Sequence, residues 1–264
     1  MQTFAEYILS EKDLASKMEI VYYLSKKNKV FFDKSIVLKT EILRMFLNYS
    51  KIEVDSNTIL TACLLCNCKK VDNAQDLDSV HTYAKKGAEY VQGLGFNKTF
   101  CKICEEINRY SQSNPRERES DILELVDQFG GMLLDRPERI GFKPDEALVL
   151  LEHRNLKDYY NRYLETFIYF VNFMEKIEMN DLVNMSALRR LVKIHNEEES
   201  LTNFIKKVVY EYEPKVDKLI LNQMKKETSK MFEKIEDSNR PLFSRETAKK
   251  IMNHMDEKIE EIKE

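Results

Sequence analysis

No tryptophan occurs in the 264 residues, and glycine and proline are scarce at 6 and 5. Tight turns, bulges and left-handed positions draw heavily on those two residues, so their shortage argues against a β-rich fold. No apolar run is long: the best, residues 167–173, is broken by Asn172 and falls far short of the ~20 residues a spanning helix needs. No charge sign dominates either, since 42 Lys and Arg face 45 Asp and Glu in an interleaved pattern with a net charge of -3. Such a surface has no excess positive field to attract a phosphate backbone, and neither nucleic acid nor membrane is an expected partner. The 5 cysteines are odd in number and closely spaced, which fits a reducing compartment better than a disulfide framework. Residues 1–12 have no basic start followed by an apolar core, so a secretory signal is not expected and the location is read as cytoplasmic.

What is present is helical material. Hydrophobic residues make up 43% of the chain, enough for a sizeable core, and Leu, Lys, Glu, Met and Ala are abundant. The expected fold is all-α. Phe4, Ile8, Leu14, Met18, Val21 and Leu24 form a broken stripe that closes at residues 26–29, giving a helical preface over 1–34. Helices are expected over 35–49 and 56–68, and over a segment containing 84–94 that ends at Gly95. Asn97 is placed to cap a helix running to 109, the polar run 111–119 reads as a loop, and Ser120 reads as the next helix start. Arg136-Pro137 and Gly141 mark a turn, after which Pro144 opens a further helix. The main domain spans 35–175. Beyond it, 176–264 reads as charged amphipathic helices, with a stripe through Val216, Leu219, Ile220, Met224, Met231 and Ile235 and a cap at Ser244.

Four segments, Leu64-Leu65-Cys66-Asn67-Cys68-Lys69-Lys70-Val71, Tyr83-Ala84-Lys85-Lys86-Gly87-Ala88-Glu89, Val126-Asp127-Gln128-Phe129-Gly130-Gly131-Met132, and Asp135-Arg136-Pro137 with Lys143-Pro144-Asp145-Glu146-Ala147-Leu148, together resemble the HD-GYP branch of the HD superfamily. The resemblance covers residues 36–174 and is most specific over 127–148. It implies an HD-domain-like helical bundle, a family whose members typically hold two or three iron-like metals and hydrolyse cyclic dinucleotides such as cyclic di-GMP. It also implies where the ligands should stand. The His-Asp pair falls on Cys66 and Asn67, a later histidine on Tyr83, the tandem histidines on Asn108 and Arg109, and an upstream histidine near Lys39. Asp127 survives among the ligands, and Lys70 matches a lysine thought to face substrate phosphate.

A hydrolytic centre needs several imidazole and carboxylate donors around cations that activate water, and one aspartate does not supply them. Lys39 and Arg109 put positive charge where a cation should sit. Asp127 therefore reads either as a leftover ligand or as a carboxylate in a structural ion pair with one of these replacements. Lys70, Arg109 and Arg136 are candidate ligand contacts, with an ordinary surface lysine as the alternative for Lys70. Cys63-x-x-Cys66 and Cys101-x-x-Cys104 admit zinc or plain apolar filling, and His81 is a candidate metal ligand or a loop histidine. His153, His195 and His254 read as surface residues. The aromatic set Tyr159, Tyr160, Tyr163, Phe167, Tyr169, Phe170 and Phe173 reads as core or as a pocket lining.

The expected function is that of a catalytically inactive HD-GYP-like binding or scaffold module in bacterial signalling. It needs no cofactor, and its C-terminal helices meet a protein partner or a second copy. One alternative is a divergent metal-dependent phosphohydrolase using Asp127, His81 and Asp72, Asp76 or Asp78. Another is a non-hydrolytic nucleotide-binding effector in which Lys70 and Arg109 hold phosphates.

Overall fold

A computed structural model describes residues 2–70, 77–108, 115–136, 139–157, 160–176 and 185–212. Among these residues the fold is all-α, with no strand and a lone backbone pairing between Arg136 and Arg139. Eleven α-helices follow one another: α1 (Phe4–Ser10), α2 (Leu14–Asn28), α3 (Lys34–Ser50), α4 (Ser56–Leu65), α5 (Leu77–Gly93), α6 (Lys98–Glu106), α7 (Arg118–Leu133), α8 (Pro144–Lys157), α9 (Leu164–Lys176), α10 (Ala187–Glu197) and α11 (Leu201–Lys206). A single π-helical turn, Lys207–Glu211, closes the described chain.

Local chemistry explains most boundaries. Thr3 and Glu6 form a reciprocal capping box on α1, and Asp13, Asp33, Asp55 and Asn97 accept backbone N–H bonds at the starts of α2, α3, α4 and α6. Gly95, expected to end α5, has a φ of 95° and lies against Thr3, where a β-carbon would come within 2.8 Å of the threonine Cβ. Three boundaries differ from expectation, one of them the end of α6, which stops at Glu106 and not at 109. Helix α4 stops at Leu65, and residues 66–69 turn away from its axis, with Cys68 N–H bonded to the Leu65 carbonyl and Lys70 N–H to that of Asn67. Helix α7 starts at Arg118, two residues before Ser120; the Ser120 hydroxyl is buried and donates to Glu106 Oε2 at 2.9 Å instead of capping.

Helix α3 is the axis of the bundle, buried on nearly every side and touched by α4, α7, α9, α10 and α11. Its Phe46 lies 5.1 Å from Phe167 and 5.3 Å from Phe170, and Phe129 meets Phe167 at 5.3 Å, all in tilted or edge-on contact. Phe167 and Phe170 are thus core, while Tyr159 lies outside the described residues. Buried side chains of α1, α2, α10 and α11 join the same apolar cluster as those of 35–175. Lys34 ties the end of α10 to α3, donating from Nζ to the carbonyls of His195 at 2.7 Å and Glu198 at 2.6 Å, where α10 presents its negative end. His195 is half-buried edge-on against Phe204, not a plain surface residue, and burial pushes its pKa down. His153 is exposed, and His254 lies outside the described residues, as do the stripe beginning at Val216 and the cap at Ser244.

The first two helices are tied down by a buried lysine. Lys17 donates from Nζ to the Ile8 carbonyl at 2.6 Å and to Thr61 Oγ1 at 2.8 Å, capping the end of α1 against α4. Burial, with Lys12 adding to it, lowers its pKa to about 8. Between that value and its unfolded one the folded chain binds fewer protons, so stability from this group grows as pH rises through about 8 and is complete above the unfolded pKa of ~10.4. The stability of the wild type relative to Lys17→Met should therefore increase by on the order of 1 kcal/mol from pH 7 to pH 10 in urea titrations. A difference flat across that range would show the ammonium to be unperturbed.

Candidate functional site

Several of the residues singled out by the resemblance lie around one carboxylate. Asp127, on α7, accepts a hydrogen bond on Oδ1 from Lys39 Nζ at 2.7 Å and another from Asn67 Nδ2 at 2.9 Å. Lys39 comes from the middle of α3, and Asn67 from the turn after α4. Cys66 stands beside Asn67, whose Nδ2 approaches its sulfur at 3.7 Å. Tyr83, on α5, is close enough for its hydroxyl to sense Asp127, Cys66 and Glu124. Lys70 and Arg136 complete the group from the turns after α4 and α7, both near enough to act on Lys39 or on each other.

Two adjacent glycines make this approach of α3 to α7 feasible. A β-carbon at position 130 would lie 2.7 Å from Lys39 Cγ, and one at 131 would lie 3.3 Å from Arg136 Nη2 and 4.0 Å from Lys39 Nζ. Paired glycines inside a helix cost about 1 kcal/mol each relative to alanine. Here they let the lysine stem lie flat against the α7 backbone.

Opposing forces set the charge states. Burial works against ionisation of Asp127, but Lys39, then Lys70, together with the hydrogen bonds from Lys39 and Asn67, hold its carboxyl well below the usual carboxylate range. Burial likewise works against the Lys39 ammonium, and Asp127 more than restores it, leaving the pKa raised. Lys70 is pushed down, first by Lys39 and then by burial and Arg136, with Asp127 acting in the other direction. Burial, then Asp127, drives the Tyr83 phenol well up, so it stays protonated. Asp127 is thus paired as a structural carboxylate, with a lysine where a metal-binding carboxylate would face a cation.

The cysteines meet as neighbours. Cys63, Cys66, Cys68 and Cys104 are buried and Cys101 partly so. Burial pushes every thiol up, Cys63 and Cys68 to about 12 and Cys66 and Cys104 well above the ordinary value. Buried in this way, these side chains pack as small apolar groups around α4 and α6. Among the described residues no group of three or more His, Cys, Asp and Glu side chains is placed to hold a metal ion. Asn108 is buried just past α6, whereas Arg109 lies outside the described residues. His81 and Asp78 fall on α5 with their side chains outside the described part, and Asp72 and Asp76 lie outside it altogether.

A second charged centre was not anticipated. Arg116, in the stretch read as a loop, has a buried side chain that pairs through Nη2 with Glu124 at 2.8 Å and through Nε with Asp121 at 3.2 Å, while Nη2 also donates to the Glu106 carbonyl at 2.6 Å. Arg162 reaches Asp121 from the other side at 2.6 Å. The only sequence signal was the run of acids opening α7, which also reads as ordinary helix-start charge.

Among the described residues no helix is long and apolar enough to cross a membrane. Comparison of the chain with protein-family models, with curated proteins and with solved structures finds no match.

Proposed function

We propose that the chain is a catalytically inactive, HD-GYP-like binding or scaffold module of bacterial signalling. One observation carries this reading: a lysine ammonium, Lys39 Nζ, stands 2.7 Å from the one carboxylate that matches a family metal ligand. A divalent ion at ~4 Å from that ammonium would be repelled by about 8 kcal/mol at an effective dielectric of ~20. The ammonium itself neutralises Asp127, and Asn67 supplies a further donor to the same oxygen. Cys66, Asn67 and Tyr83, where the resemblance calls for His, Asp and His, bring no imidazole and no second carboxylate. Residues 187–212 pack into the bundle, and the charged amphipathic sequence beyond them, 213–264, is assigned to contacts with a protein partner or a second copy.

Elemental analysis of the purified chain, with a cyclic di-GMP turnover assay in added iron or manganese, tests the reading. The expected result is substoichiometric metal and no turnover. Stoichiometric metal accompanied by hydrolysis would refute it.

A further inference from the structure

We propose that the face joining the end of α2, the turn after α4 and the outer side of α5 docks the acidic end of this same chain, residues 256–264. Lys26, Lys27 and Lys29 come from the last turn and cap of α2, Lys69 from the turn after α4 and Lys86 from α5. Direct contacts hold these elements side by side. Asn28 Nδ2 donates to Tyr90 Oη on α5 at 3.0 Å, Lys69 Nζ stands 4.4 Å from the centre of the Tyr90 ring, and the Phe31 N–H reaches the Cys68 carbonyl at 2.9 Å. Lys86 lies one helical turn before Tyr90, on the same side of α5. Lys26 Nζ is 5.3 Å from the centre of the Tyr22 ring, and Tyr23, edge-on to Tyr22, is 68% exposed. These lysines are exposed or half-exposed, and among the described residues none of them has an ion pair. The chain carries a net charge of -3 with its charges interleaved, so the local excess is made by the fold. Glu89, next to Tyr90, offsets only part of it. Ammoniums gathered without carboxylates repel one another, and an acidic segment laid across them relieves that repulsion.

Charge complementarity selects the occupant. The densest acidic stretch beyond Tyr212 is Asp256-Glu257-Lys258-Ile259-Glu260-Glu261-Ile262-Lys263-Glu264, in which carboxylates outnumber ammoniums. Glu257, Glu260, Glu261 and Glu264 recur at spacings of three and four, with Ile259 and Ile262 between them. The carboxylates therefore suit the lysine face while the isoleucines stay available to a partner protein. A single strand of nucleic acid fits less well, since lysine ammoniums already cover a face of the Tyr22 and Tyr90 rings on which bases would stack. The chain leaves the bundle through α11, which packs on α2, so its continuation begins on the α2 side. Roughly 40 residues separate Tyr212 from Asp256; even as a coil they span only ~35 Å and hold the acids at an effective concentration on the order of 1 mM. At that concentration a few weak ion pairs suffice. The contact goes beyond the scaffold reading and does not depend on the chain being inactive.

Zero-length carbodiimide crosslinking of the full chain, read by peptide mass spectrometry, tests the contact, because it joins only amines and carboxylates that touch. Crosslinks from Lys26, Lys27, Lys29, Lys69 or Lys86 to the acids of 256–264 are expected at low salt. They should fall several-fold in ~0.5 M sodium chloride, where charge is screened beyond ~4 Å. Reversing the face with Lys27→Glu, Lys69→Glu and Lys86→Glu should cut the crosslinks of the retained Lys26 and Lys29 by about fivefold or more. Adding Glu257→Lys, Glu260→Lys and Glu261→Lys should restore crosslinks between positions 27, 69 and 86 and the segment. Lys27 and Lys86 are exposed, so Lys27→Glu with Lys86→Glu is the check should Lys69→Glu disturb its turn. In a mixture of unlabelled and nitrogen-15 protein each crosslink should join peptides of one label; mixed-label pairs would place the segment on a second copy and overturn the intramolecular contact. Absence of these crosslinks at low salt, or their survival at Lys26 and Lys29 after the reversal, overturns it as well. The parent should not bind a fluorescent oligothymidylate or phosphatidylserine vesicles through this face. Saturable binding of either, lost on the lysine reversal, would give the face to that polyanion instead of the segment. Failure on these grounds leaves the scaffold reading standing, since metal content and turnover decide that.

Discussion

Lys39→Met should lower the unfolding free energy by ~3–5 kcal/mol, because it leaves Asp127 charged and largely buried without its principal counter-charge. Asp127→Leu should destabilise by a similar amount for the converse reason: the Lys39 side chain is 5% exposed, and among the described residues Asp127 is its ion-pair partner. Methionine fits the groove over Gly130 that the lysine stem occupies, so the loss reports charge and not packing. Joining Lys39→Met with Asp127→Leu removes both charges at once. That double variant should recover most of the lost stability, since apolar pairs commonly match buried ion pairs. Chemical denaturation of the four proteins gives the coupling energy directly. Additive losses, with no recovery in the double variant, would show that the two residues do not act as a pair.

The same pair sets a pH dependence. Asp127 has a depressed carboxyl pKa, so its stabilisation is complete above the unfolded value of ~3.9 and is lost as pH falls through the lower folded value. Lys39 has a raised pKa, so its share is complete below ~10.4 and is lost as pH climbs through the folded value above that. The pair therefore contributes fully across neutral pH and fades only at the extremes. In Lys39→Met the acid limb should move to higher pH.

Arg116→Met should be at least as damaging, again ~3–5 kcal/mol, because Asp121 and Glu124 are almost completely buried and both lean on this one guanidinium. Arg162 still reaches Asp121 in the variant, but Glu124 and the Glu106 carbonyl lose their shared donor. Arg116→Lys should rescue little, since a single ammonium does not reproduce a fork that meets two carboxylates and a carbonyl together. The control is Arg162→Met. That side chain is 41% exposed, and its removal should cost ~1 kcal/mol or less. Equal and small losses at the two arginines would mean that the α6–α7 charge network does not hold the bundle.

Much of the helical order was legible in the chain itself. Caps at Asn97 and the glycine stop at Gly95 are local signals, readable because they depend on a few neighbouring residues and on backbone geometry. The end of α4 at Leu65 was not, because Cys66, Asn67 and Cys68 continue a helix-compatible pattern, and their partners, Asp127 on α7 and Gly87 on α5, come from distant parts of the chain. Ser120 misled for a similar reason: a serine before an apolar run looks like a cap, but Glu106 on α6 takes its hydroxyl.

Composition and periodicity by themselves determined that this protein is helical, since helix propensity and the spacing of apolar residues act within a turn or two of the chain. The family resemblance, not composition, singled out Lys39 and Asn67 as standing where metal ligands are expected, Asp127 as a retained ligand position and Lys70 as a matching lysine. Only the tertiary structure decided that Lys39 and Asp127, 88 residues apart, pair at 2.7 Å, and that Arg116 is buried among acids. An isolated charge in a sequence reads as solvated, and whether it is buried, and against which partner, depends on helices brought together from distant parts of the chain.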